Sequence, residues 1–151
     1  MKLKYNKKFA HLVGDNFRIE DVKFCDAALS VKNIEIEQAP NGGYYFKGKG
    51  PTGIADPPIN LTSHEAFSNK LFVDDLTDKK LKPLQRFRCG LSIAKELSNN
   101  LKEKYRTGFV VDLSYDYEHC YIRFYKNRKE QPWTTEDLEA FKLEALLVIE
   151  I

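Results

Sequence analysis

No apolar run in this chain is longer than Ala145–Ile149, far short of the about 20 residues a membrane helix needs, so no membrane span is expected. The start, Met1-Lys2-Leu3-Lys4-Tyr5-Asn6-Lys7-Lys8, is charged but has no apolar core behind it, which argues against a secretory signal. Cysteine is scarce. Cys25, Cys89 and Cys120 are odd in number and lack paired spacing, which reads as reduced thiols in a cytoplasmic protein rather than a disulfide framework. His11, His64 and His119 lie on unrelated segments without metal-ligand spacing, so neither a metal nor another cofactor is expected. Charge of one sign is also lacking. A net +2 is too small to imply a polyanion partner for the whole chain.

What is present is an ordinary globular balance. Apolar residues make up 42% of the 151 and charged residues 30%, which excludes disorder. One domain over 1–151 is expected, large enough to hide roughly 70% of the surface its unfolded chain exposes. Eight Tyr and ten Phe exceed what a plain core requires, and tyrosine serves half-buried strands and contact surfaces alike. Basic charge is concentrated between Lys79 and Arg106, where nine Lys or Arg face only Glu96 and Glu103. Such a stripe fits either the solvated face of a helix or a contact with nucleic acid or an acidic protein.

Apolar periodicity supplies the elements. Phe87, Leu91, Ala94, Leu97, Leu101 and Tyr105 recur every three or four residues and predict a long helix over 84–105. Gly90 inside it costs about 1 kcal/mol in propensity, which a close helix–sheet approach would explain, and Gly108 is expected to close the element. Thr62 and Glu65 have capping-box spacing for a short helix reaching about Leu71, followed by a polar connection over 74–83. Phe17–Ile19 with Val22–Phe24, and then Leu29–Gln38, read as strands. Asn41-Gly42 then forms a turn into Tyr44–Lys47. Gly48–Pro58 reads as a loop. Thr134 and Asp137 suggest two helical turns over 135–141, and Ala145–Ile151 a strand buried on both faces.

The sharpest expectation is a hairpin over Phe109–Lys126. With Tyr117-Glu118 as its loop, Tyr115 faces Cys120, Leu113 faces Ile122 and Val111 faces Phe124, all on one side. The other side sets Asp112 opposite Arg123, Ser114 opposite Tyr121, Asp116 opposite His119 and Val110 opposite Tyr125. A one-residue slip would destroy that sorting. The fold class that follows is α+β: a mainly antiparallel sheet packed against one long helix, with one or two short helices.

Candidate chemistry is sparse. Gly48-Lys49-Gly50-Pro51-Thr52-Gly53 holds the ingredients of a phosphate loop in the wrong order, and its proline removes an amide donor. His119 and Cys120 are neighbours on a strand and point to opposite faces, so they do not converge on one atom. Asp112 and Asp116 share a face as an acid/base pair would, but each has a cationic or potentially cationic partner across the hairpin. No catalytic residue is assigned. Tyr121, Arg123 and Tyr125, with Asp112 and Asp116 beside them, form a polar-aromatic face. Tyr and Arg are enriched at protein interfaces, and the acidic neighbours would repel nucleic-acid phosphate. Trp133 reads either as an anchor for a partner or as a lid on the core.

The stretches Tyr121-Ile122-Arg123-Phe124-Tyr125-Lys126-Asn127-Arg128, Pro132-Trp133-Thr134-Thr135-Glu136-Asp137-Leu138-Glu139 and Ala145-Leu146-Leu147-Val148-Ile149 resemble the C-terminal end of some bacterial immunity proteins. These are the small cytoplasmic antidotes of polymorphic-toxin and contact-dependent growth inhibition systems. The resemblance implies a non-enzymatic protein that binds a cognate toxin domain and blocks its active site or its access to substrate. Immunity proteins to nucleases are often acidic, and here acid is only local, at Asp74, Asp75 and Asp78 and at Asp112, Asp116 and Glu118. The alternatives are a nucleic-acid-binding module using the basic 79–106 region, or a small enzyme or ligand-binding domain whose site assembles only in three dimensions.

Overall fold

The computed structural model describes residues 1–51, 60–106 and 108–151. It is α+β, with a five-stranded antiparallel sheet, one long helix and several short ones. Strands β1 (Lys2–Tyr5), β4 (Leu71–Phe72), β5 (Phe109–Tyr115), β6 (Cys120–Lys126) and β7 (Ala145–Glu150) run in the order β1-β7-β5-β6-β4. A separate hairpin pairs β2 (Ile36–Gln38) with β3 (Tyr44–Phe46).

The β5–β6 register is the one the alternation predicts, from Val110↔Tyr125 to Tyr115↔Cys120. Tyr-Glu is a poor two-residue turn, and Tyr117 takes a positive φ of 74° there. The Asp116 carboxylate offsets this by accepting hydrogen bonds from the Glu118 and His119 amides. Strand β7 lies between β1 and β5 and is buried along almost its whole length, as its unbroken apolar run requires. The N-terminal strand has no counterpart among the predicted elements, because its four residues are half lysine.

The long helix, α5 (Pro83–Tyr105), covers one face of the sheet with Phe87, Leu91, Ala94, Leu97 and Leu101. Gly90 does mark a close approach: a Cβ there would lie 2.6 Å from Cys120 Sγ and 3.3 Å from Leu113 Cδ1. Cys120 is fully buried against the sheet and has nowhere to retreat. Gly90→Ala is therefore expected to destabilise the fold by about 1–3 kcal/mol, the overpacking cost outweighing the gain in helix propensity. A urea midpoint equal to that of the parent would show that the helix can lift off the sheet. The helix ends one turn before Gly108, with Arg106 in the left-handed position at φ 66°.

Several local expectations are corrected by packing. Residues 17–24 form no strand; they hold a 3-10 turn at Ile19–Asp21, fastened when Lys95 donates to the Glu20 and Val22 carbonyls. Most of 29–38 is not strand either. A 3-10 turn at Asp26–Ala28 runs into α2 (Leu29–Lys32), which buries Ala28 and Val31 at helical spacing against α5, leaving only β2 extended. In the β2–β3 turn only Gly42, at φ 83°, has a positive φ. Helix α3 (Leu61–Ser68) is capped by Asn60, not Thr62, because Glu65 is turned inward rather than back toward the cap. The expected connection over 74–83 begins with a helical turn, α4 (Val73–Leu76). Asp137 caps a single 3-10 turn, Leu138–Ala140, where two helical turns were expected. Of the Gly48–Pro58 loop and the phosphate-loop ingredients, residues 52–58 lie outside the described residues.

The cysteines need the largest correction. Cys25 and Cys89 form a disulfide, with Cα atoms 5.5 Å apart across 64 residues of sequence. The segment carrying Cys25 lies along α5, where the Cys25 amide donates to Ser92 Oγ, and that packing brings the thiols together. Cys120 remains free and buried.

The second face of the sheet is covered too. Val110, Tyr125, Leu146 and Val148 pack under Ala66 and Leu138, with Trp133 and Phe141 at the margin. Asn6 fastens this cover to the start of α1 (Lys7–Val13). Its side chain accepts from the Phe9 and Leu146 amides and donates to the Phe141 and Glu144 carbonyls.

Candidate functional site

The outward side of the β5–β6 hairpin is where the structure concentrates its unusual side chains. Tyr121 and Arg123 sit two residues apart on β6 and so share that face. Strand β4 pairs Phe72 with Tyr121, which brings in Lys70 just ahead of it. Buried Asn69 sets this course: it accepts from the Phe46 amide and donates to the Tyr44 and Phe124 carbonyls, so the chain leaving α3 is fastened to β3 and β6. Trp133 arrives from the segment after β6.

The result is a ladder of alternating aromatic and cationic groups. Lys70 Nζ lies 4.6 Å from the Phe72 ring centre and 4.0 Å from that of Tyr121. Arg123 Cζ lies 6.0 Å from the Tyr121 ring and 5.9 Å from the Trp133 ring. Phe72 and Tyr121 meet edge to face at 5.2 Å. Cations over aromatic faces are worth about 0.5–2 kcal/mol each, more as water is excluded. Phe72 is 44% exposed, while Tyr121 and Trp133 are half-buried. Burial and the like charge of Arg123 hold the Lys70 ammonium below its ordinary pKa.

Beneath the ladder, Asp112 on β5 is 1% exposed and binds Arg123 Nη1 at 3.3 Å through Oδ1. Its Oδ2 has no hydrogen-bond partner among the described residues, although the Trp133 indole N–H is near enough to favour the ionised form. Burial pushes the carboxyl up to about 6 despite the opposing pull of Arg123. On the same face, the Ser114 hydroxyl donates to Glu144.

The six residues singled out in the sequence are therefore not one surface. Tyr121, Arg123 and Trp133 come together in the ladder. Tyr125, 3% exposed, and Asp112 are covered and act from below; a strand face with Val110, Leu146 and Val148 on it needs a second layer, and residues 127–144 provide one. Asp116 sits at the exposed hairpin tip with its carboxylate spent on the turn. Burial raises its pKa, but the His119 and Glu118 amides outweigh that and leave it below the ordinary value. The His119 ring approaches Asp74 at 3.7 Å, and it is the His119 amide that reaches the Asp116 carboxylate. Lys70 and Phe72 were missed by sequence reasoning; only the pairing of β4 with β6 joins them to Tyr121.

Other features answer to structural needs. Lys95, Lys104 and Arg86, three cations of the basic 79–106 stripe, bind backbone carbonyls of neighbouring segments. No group of three His, Cys, Asp or Glu suited to a metal occurs among the described residues. None of their helices is long and apolar enough to cross a membrane. A cavity of about 380 Å³ lies next to the ladder, lined in part by Trp133, Tyr125, Val110, Val148 and Arg128.

Residues 58–151 match the Uncharacterized protein PM0498 family. The matched stretch runs from ahead of α3 to the C-terminus and so includes every residue of the ladder. No curated protein and no solved structure matches the chain.

Proposed function

We propose that this chain, which belongs to the PM0498 family, is an immunity protein that binds a cognate bacterial toxin domain and blocks its active site or its access to substrate. The observation that carries the reading is the ladder Phe72–Lys70–Tyr121–Arg123–Trp133. Its aromatic and Arg members are the types enriched in the cores of protein interfaces, and the sheet edge at β4 leaves them within reach. The stretches at 121–128, 132–139 and 145–149 that resemble immunity proteins supply the class of partner. The protein acts by binding, without a cofactor, and on this reading it works in the cytoplasm.

Tyr121→Ala combined with Arg123→Ala is expected to weaken partner binding by about 1,000-fold or more, since central interface residues cost at least about 2 kcal/mol each on truncation. Circular dichroism should stay that of the folded parent. The partner is obtained by capture at high salt after nuclease treatment. It must be toxic when expressed alone and harmless when this chain is co-expressed. Unchanged affinity in the double variant would remove the ladder from the interface. Nucleic acid recovered only at low salt, with no toxic protein, would point instead to the basic 79–106 region.

A further inference from the structure

Arg123 is the joint of the ladder, since it lies equally far from Tyr121 and Trp133. Its side chain is 18% exposed, and the carboxylate paired with it belongs to Asp112, buried directly beneath. The guanidinium is therefore held by a single contact to Oδ1, while the second carboxylate oxygen is enclosed with no hydrogen-bond partner among the described residues, the Trp133 indole N–H lying nearby. An orphaned buried oxygen next to a singly bound cation is an arrangement with two settings. Ionised, the carboxylate draws Arg123 down through a charge-assisted bond. Protonated at Oδ2, it offers the guanidinium only a neutral acceptor, and the attraction between opposite charges is lost.

We infer that Asp112 is the positioning residue of the ladder, holding Arg123 between Tyr121 and Trp133 while ionised and releasing it on protonation, so that the binding surface is assembled near neutral pH and comes apart in mild acid. The inference rests on the ladder being the binding surface, but its test needs no partner.

The surrounding charges agree with this. Arg123 faces Asp112 from β6 and favours the carboxylate; Glu144, ahead of β7, favours the acid. Directly across on β7 stands uncharged Val148, and Glu150 lies further along, near Tyr125. With the folded-state pKa near 6 against an ordinary 3.8, the proton binds the folded form more tightly than the unfolded chain. The stability that Asp112 contributes is complete below 3.8 and is lost as pH rises through about 6. The assembled setting is thus the more strained of the two, and a small drop in pH suffices to leave it.

Trp133 is the chain's one tryptophan, so its emission reports this site alone. Titrating the full chain from pH 8 to 4.5 should give a fluorescence transition centred near 6. Asp112→Asn should abolish it. Arg123→Gln should move it upward by a pH unit or more, because the cation that favours the carboxylate is gone; this variant serves if the first fails to fold. The neighbouring His119 is the competing source, and His119→Gln should leave the midpoint in place. A transition that survives Asp112→Asn, disappears with His119→Gln, or is absent from the parent protein overturns the inference. A normal titration in a protein whose Tyr121 and Arg123 prove irrelevant to any partner would overturn the proposed interface instead and leave the switch standing.

Discussion

Glu65→Ala should destabilise the fold by about 3–5 kcal/mol, the range for breaking a buried ion pair from one side. Glu65 is fully buried in α3 and each carboxylate oxygen serves two donors. Oε1 accepts from the Tyr44 amide and Arg128 Nη2, at 2.8 and 2.9 Å. Oε2 accepts from the Lys126 amide and Arg128 Nη1, at 2.8 and 2.7 Å. One side chain thus fastens the small hairpin, the end of β6 and the start of the covering segment to a single helix. Arg128 is partly exposed and can turn to water when its partner goes. The two amides lack that escape, and an orphaned buried donor costs about 1–3 kcal/mol.

The check is urea denaturation of Glu65→Ala, Arg128→Ala and the double variant. Arg128→Ala leaves the fully buried Glu65 carboxylate without its cation and should cost at least as much as the Glu65 change, and the double variant should cost less than the sum of the two. Glu65→Gln keeps an acceptor and should fall between the parent and Glu65→Ala. A Glu65→Ala midpoint within experimental error of the parent would mean that the three elements are joined by apolar packing alone.

Reduction of the Cys25–Cys89 bond should cost about 2–4 kcal/mol, the upper end being the chain-entropy figure for a closed loop of this size. The bond spans 64 residues and ties the irregular 15–28 segment to the N-terminal third of α5. That segment keeps other fastenings, from Ser92 to the Cys25 amide and from Lys95 to two carbonyls, so reduction should loosen it without unfolding α5. Denatured but unreduced protein should show one reactive thiol, Cys120, and reduced protein three. Cys89→Ser should reproduce the reduced urea midpoint and be insensitive to dithiothreitol. Equal midpoints for the oxidised and reduced parent would show that the bond constrains nothing the packing does not already hold. Disulfides are rare in a reducing cytoplasm, so the thiol state of the protein taken from its native cell also tests the cytoplasmic assignment.

The missed elements share a cause. Lys2–Tyr5 is too short and too rich in lysine to show a strand pattern, and it becomes one because β7 has an open edge beside it. Thr62 and Glu65 have the spacing of a capping box, yet Asn60 takes the cap because Arg128, far along the chain, claims the glutamate. Ala28 and Val31 lie at helical spacing within a stretch whose isoleucines alternate like a strand, and contact with α5 decides between the two. In each case the local signal was real, and a partner distant in sequence outweighed it.

By itself the sequence determined the α+β class, the hairpin register, the long helix with its crowded glycine, and the doubly buried last strand. Those rest on apolar periodicity, which repeats within a few residues and is fixed by backbone geometry alone. Only the tertiary structure decided that the polar face of the hairpin is roofed over, that Cys25 meets Cys89, and that Lys70 and Phe72 complete a ladder with Tyr121, Arg123 and Trp133. These depend on which segments the sheet order and the covering layer bring together, and no local pattern encodes a neighbour that arrives from fifty residues away.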